Sequence, residues 1–215
     1  MIAHGSIVAT LQRDIESLAP PGLLIGHRLI TPGDEDALLD DEAASLTSPL
    51  AAVRRASGAA RIVARQLLAQ LGYGAVALPK APSGGPLWPA RIVGSLAHDD
   101  QVAVAAVGLR RDFGSIGIDI EPAVPLPAGM LALVVTPEEL RQIGHDPLGG
   151  KLLFAIKEAV YKAVHPLDGL FLEFSDVVVD LATRTATTRT GRVVSLGYCV
   201  SSHAIALTWS KPEPG

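Results

Sequence analysis

Residues 115–122 read SIGIDIEP. Isoleucine alternates with small or acidic residues, and Pro122, which has no N–H to give to a ladder, closes the run. The segment predicts a strand. Side chains alternate along a strand, so Asp119 and Glu121 share one face while Ile118 and Ile120 share the other. Upstream, Val102–Leu109 (VAVAAVGL) is too short for a typical helix and rich in valine, which predicts a second strand after the apolar Ile92–Leu96. Before the Pro/Gly loop of 79–90, residues 51–71 place Val53, Ala60, Val63, Ala64, Leu67, Leu68 and Leu71 at helical spacing, and Gly72 stops the helix. Downstream, Thr136-Pro137 is a helix start. Residues 151–164 (KLLFAIKEAVYKAV) form a strong helical pattern that the stretch His165–Gly169 ends, and short β-like runs follow from Leu170 to Trp209. Residues 1–50, with Pro20-Pro21-Gly22 and an acidic run from Asp34 to Glu42, read as irregular and loop-rich. The coarse order is helix then strands, twice. That predicts an α+β fold of two similar halves, 1–110 and 111–215.

The composition narrows the function. The 215 residues are 48% hydrophobic and 19% charged, enough for a core and too apolar for disorder. A net charge of −4 and 4% aromatics disfavour nucleic-acid binding. Mean hydropathy is +0.34, yet the most apolar run, Val102–Leu109, is far below the roughly 20 residues of a spanning helix. The opening MIAHGSIVATLQRD lacks the pattern of a secretory signal. The single Cys199 permits no internal disulfide. A cytoplasmic protein without membrane insertion is expected.

Four features carry chemistry. Asp119 and Glu121 repel unless a cation sits between them; oxygen ligands of this kind suit Mg²⁺ or Mn²⁺. The other reading is a solvated edge-strand face. Glu158 and Lys162, four residues apart, share a helix face. They are either a surface ion pair or a third carboxylate beside a cation that neutralises phosphate. Arg54, Arg61 and Arg65 line one helix face, as an anion site or as ordinary solvated charge. His98 ends the run GSLAH just before Asp99-Asp100, as a ligand contact or as a turn histidine paired with a neighbouring aspartate. The remaining histidines lack metal-ligand spacing. No Walker A, G-x-G-x-x-G or G-x-S-x-G motif occurs.

In order along the chain stand an Arg-bearing helix ending A-R-x-x-L, the loop G-P-L-W-P, then G-S-L-A-H, G-I-D-I-E-P and F-A-I-K-E-A-V-Y-K-A. This series resembles the 4′-phosphopantetheinyl transferases of the Sfp type, over roughly residues 50–180. The W-P and G-S-L-x-H elements resemble the enterobactin synthetase component D branch. The sequence departs from the family pattern in three places. Ala97 stands for a hydroxyl residue, Phe154 for tryptophan, and Ala56-Ser57 for Glu-Phe.

The resemblance implies a Mg²⁺-dependent enzyme (Mn²⁺ is the other candidate). It would move the phosphopantetheine arm of coenzyme A to a serine of an apo acyl or peptidyl carrier protein, releasing adenosine 3′,5′-bisphosphate. It further implies two α+β halves about a pseudo-twofold axis, the active site between them and the metal ligands in the second. By the same resemblance Asp119, Glu121 and Glu158 hold the metal, and Asp119, Glu158 and Lys162 are catalytic. Arg54, Arg61, Lys80, His98, Asp119, Lys157 and Lys162 contact coenzyme A. The general base is Glu158 or a water on the metal. A monomer serving siderophore, nonribosomal peptide or polyketide synthesis is expected. The alternatives are a degenerate protein that only binds coenzyme A or a carrier, and a Mg²⁺-dependent phosphohydrolase.

Overall fold

Among residues 11–212, which the computed structural model describes, eight strands form two antiparallel sheets. The first ten residues, on which most of the signal-peptide reading rests, lie outside the described residues. Helix α1 is described over residues 11–16. Strand β1 (Leu24–Leu29) follows, then helix α2 (Asp40–Ser45), helix α3 (Ala51–Gln70), and the hairpin of β2 (Ile92–His98) and β3 (Val102–Leu109). The second set is β4 (Ser115–Pro122), helices α4 (Ala128–Val134), α5 (Pro137–Ile143) and α6 (Gly149–Asp168), then β5 (Val177–Asp180), β6 (Thr185–Thr188), β7 (Val193–Val200) and β8 (His203–Ser210).

The sheet orders are β1-β3-β2 and β4-β8-β7-β6-β5. The first three members match: in each set a strand and a 20-residue helix come first, and the last strand of the set inserts between the first strand and the next-to-last one. β5 and β6 extend the second sheet.

Alternation along the strands builds the layers. Val102, Val104 and Ala106 of β3, with Val93 and Ala97 of β2, face Ile116, Ile118 and Ile120 of β4 and Ile205 and Leu207 of β8. One residue out of phase, Ala105 and Val107 pack on Val63, Ala64, Leu67 and Leu68 of α3. Ala204 and Ala206 pack on Leu153, Ile156 and Val160 of α6. The order is helix, sheet, sheet, helix. With both faces covered, β3 is apolar throughout rather than alternating, as a strand buried on both faces must be. Among the described residues no helix is long and apolar enough to cross a membrane.

Two expectations need correction. The loop-rich reading of residues 1–50 missed β1, which pairs with β3 from Leu24 opposite Val107 to Leu29 opposite Val102. It is a short edge strand, half-buried along its length, so its apolar pattern is weak. Helix α6 also runs beyond Val164, carries Pro166 in its last turn and stops at Gly169, whose φ of 66° is left-handed.

Candidate active site

β4 and α6 touch more closely than side chains on both would allow. A Cβ at Gly117 would run into the Ala159 carbonyl oxygen. The Thr208 hydroxyl spans the crossing, donating to Ala159 O at 3.0 Å. Contact at this point sets Asp119 and Glu121 of β4 against the face of α6 that carries Lys151, Glu158 and Lys162. These three lie seven and then four residues apart, so they stack on one side of the helix.

Asp119 is 5% exposed. Lys162 Nζ donates to its Oδ1 at 2.6 Å and to Ile118 O at 3.2 Å. Its Oδ2 is buried and has no hydrogen-bond partner among the described residues. Burial pushes the Asp119 carboxyl up to about 6; Lys162 opposes this, while Glu121 and Glu158 add like charge. Lys151 Nζ donates to Glu121 Oε2 at 3.0 Å and lies 5.3 Å from the centre of the Phe154 ring. Glu158 is half-buried. Desolvation raises its pKa and the Glu121 charge adds to that, against the pull of Lys162. The acidic face is therefore no solvated edge. It is a desolvated carboxylate group neutralised by two lysines. Lys151, which the sequence reading did not single out, is one of them. It stands a full two turns before Glu158, on the same side of α6.

Among the described residues no three His, Cys, Asp or Glu side chains are gathered as a cage for a metal ion. Lysines occupy one oxygen each of Asp119 and Glu121. The donor set still fits Mg²⁺, which takes one or two carboxylates and completes its shell with phosphate oxygens and water. The unpartnered Asp119 Oδ2 is the oxygen such an ion would use.

The basic residues divide. Arg54 donates to Ala43 O at 3.5 Å, and the Lys80 N–H donates to Ser45 Oγ at 2.8 Å. Both therefore flank the end of α2, with Lys80 exposed. His98 is exposed at the end of β2, its Nδ1 3.3 Å from Asp99 O. The Asp99 carboxylate instead faces His203 Nε2 at 3.0 Å, and His203 lies opposite Pro122 in the ladder. That contact brings the His98 turn to the Glu121 end of β4. Ala97, next to His98, points into the core between the sheets.

Arg61 and Lys157, both expected from the resemblance to contact coenzyme A, turn inward instead. Arg61 is 5% exposed. It donates to Leu78 O at 2.9 Å and Ser57 O at 3.2 Å, with Glu42 3.8 Å away. Lys157 is 1% exposed, and its ammonium faces Val134 O, Glu139 and Phe174 O. Neither cation points outward. The buried glutamates Glu42 and Glu139 were not singled out from sequence. Each lies many residues from its cation, so no local pattern marks the pair.

Beside Glu158 opens a cleft of about 170 Å³, walled by Tyr161, Phe171, Glu173 and Phe174. Phe174 packs on Phe154 at 5.5 Å, and Tyr161 meets the edge of Phe171 at 5.8 Å. A desolvated carboxylate pair, a half-buried lysine held against one of the acids, and a largely apolar cleft together suit transfer at a phosphoanhydride.

Comparison with known proteins gives two family matches. Residues 41–108 match the 4′-phosphopantetheinyl transferase N-terminal domain, and residues 115–208 match the 4′-phosphopantetheinyl transferase superfamily. The chain is 38% identical over 165 residues to 4′-phosphopantetheinyl transferase Npt of Nocardia iowensis, covering 75% of this chain and 74% of that protein. It is 34% identical over 185 residues to Svp of Streptomyces mobaraensis, covering 81% and 75%. To PptT of Mycobacterium tuberculosis it is 36% identical over 161 residues, covering 73% and 70%.

Proposed function

The chain belongs to the 4′-phosphopantetheinyl transferases, and from that premise we propose how its residues act. The protein transfers the 4′-phosphopantetheine arm of coenzyme A to a serine of an apo carrier protein and releases adenosine 3′,5′-bisphosphate. The observation that carries the site assignment is the buried Asp119 carboxylate, held by Lys162 on one oxygen and unpartnered on the other.

Asp119, Glu121 and Glu158 would hold Mg²⁺, which when bound neutralises the pyrophosphate oxygens of coenzyme A. Most of the rate enhancement in such a reaction is positioning and charge neutralisation. Lys162 approaches from one side of Asp119 and offsets charge gathering on the leaving bisphosphate. Glu158, made a weaker acid and so a better proton acceptor by burial and borne on the cleft wall, takes the proton of the attacking serine. Lys151 keeps Glu121 in place until substrate arrives. Arg54, Lys80 and His98 are the basic side chains left to receive the nucleotide phosphates, so we place the bound coenzyme A at the boundary of halves 1–110 and 111–215. Trp88-Pro89 and Gly94–His98 are the basis for assigning the siderophore-type branch, with a monomeric, cytoplasmic enzyme serving an acyl or peptidyl carrier.

Intact mass spectrometry tests this. Apo carrier protein is mixed with the protein, coenzyme A and Mg²⁺, with EDTA in a parallel sample. The expected outcome is a mass gain of one phosphopantetheine arm that EDTA abolishes. Coenzyme A consumed without loading would support hydrolysis instead. A set of carriers left unloaded, with coenzyme A bound, would support a binding protein.

A further inference from the structure

Lys157 precedes Glu158, and consecutive helix residues point about 100° apart. Both residues line the cleft, but Glu158 is half-buried there while the ammonium of Lys157, 1% exposed, is turned to the interior. Lys157 Nζ donates to Val134 O at 2.8 Å, Glu139 Oε2 at 2.8 Å and Phe174 O at 3.0 Å. An ammonium has three protons, so none is left for a phosphate. The three acceptors belong to the end of α4, to α5 and to the turn that walls the cleft. Glu139 is itself fully buried. It accepts the Thr136 N–H at 2.9 Å, closing the start of α5, and the Val179 N–H at 2.9 Å, tying in β5.

The first half contains the same device. Glu42 of α2 is fully buried. It accepts the Leu39 N–H at 2.9 Å and the Leu78 N–H at 2.8 Å, and it pairs with Arg65 of α3 at 2.7 Å. In each half a buried glutamate near the start of a short helix joins its own helix, the long helix and the segment beyond it. In the first half no site carboxylate adjoins the clamped cation. In the second, Glu158 follows it directly.

We propose that Lys157 and Glu139 form a buried clamp that positions Glu158 and the 171–174 wall of the cleft for transfer, without either touching coenzyme A. The proposal rests on the transferase reading. Four elements meet at one ammonium, so losing it frees the helix turn that carries Glu158 and the Phe174 side of the cleft together. Nucleotide contacts made elsewhere stay intact. The clamp therefore governs turnover, and leaves the affinity for coenzyme A unchanged.

The test compares wild type with Lys157→Met, Glu139→Gln and the double variant. Wild-type protein that loads no carrier would overturn the transferase reading itself, whatever the variants do. With wild type active, Lys157→Met is expected to lose kcat on the order of a hundredfold. Its KM for coenzyme A, and its calorimetric affinity for adenosine 3′,5′-bisphosphate, are expected to stay unchanged. Amide exchange over residues 171–179 should speed up. Glu139→Gln, whose amide oxygen still accepts a backbone N–H, supplies the same readings should Lys157→Met fold poorly. The double variant removes the unpaired buried carboxylate, so it should regain thermal stability over Lys157→Met while kcat stays low. A raised KM with weakened bisphosphate binding and an intact kcat would overturn the proposal, by placing Lys157 on the ligand. Recovery of kcat along with stability in the double variant would overturn it too, by reducing the clamp to a fold element.

Discussion

Asp119 titrates far from an ordinary carboxylate because burial and two neighbouring acids work against its charge, lifting it to about 6. The folded protein then holds a proton between pH 4 and 6 that the unfolded chain releases. Stability from this group is therefore present at low pH and lost as pH rises through about 6. Asp119→Asn removes that penalty. The variant is expected to melt no lower than wild type at pH 7 and to lose the fall in stability between pH 4 and 6, while transfer disappears. Melting curves across that range and the carrier-loading assay check both halves, and retained transfer would refute the role of Asp119. At this scale the acidic residues were legible in the sequence, because strand alternation fixes which face they share. The burial of Arg61 and Lys157 was not. Lys157 sits next to Glu158 in the chain but on another side of the helix, and its partner Glu139 lies on a different helix. Burial of a lysine depends on such distant acceptors and leaves no local trace.

Helix α6 reaches β4 only because Gly117 has no side chain. Gly117→Ala forces a carbon into the Ala159 carbonyl and must push helix and strand apart, at about 3 kcal/mol or more. Denaturant titration should show that loss, and transfer should fall further than stability alone explains, because Lys162 withdraws from Asp119. A variant as stable and active as wild type would refute the close crossing. The elements themselves were mostly readable. Thr136 caps α5 and accepts the Glu139 N–H, and the two long helices follow their apolar spacing. β1 was hidden because an edge strand needs little apolar pattern. Pro166 failed to end α6 because a proline in the last turn gives up only one hydrogen bond, and Gly169 supplied the real stop.

The two sets of elements share one core. Val93, Val104 and Ala106 from the first sheet meet Ile118, Ile205 and Leu207 from the second, and the buried Asp99–His203 contact joins the same two sets near the site. The repeated order of helix and strands was legible from periodicity alone. The face-to-face meeting of the sheets was not, because an apolar strand face does not name its partner. The chain passes between the sets once, through the exposed Arg110–Asp112 turn. Cutting there should leave two fragments that each expose half of an apolar interface. Separately they are expected to be poorly soluble. Co-expressed, they should copurify and load a carrier, and failure to copurify would refute the shared core as the main joint. Fused to two other proteins, such fragments would become a tether: the affinity of the halves for each other would draw the fusion partners together, and each joined pair would mark itself by loading a carrier.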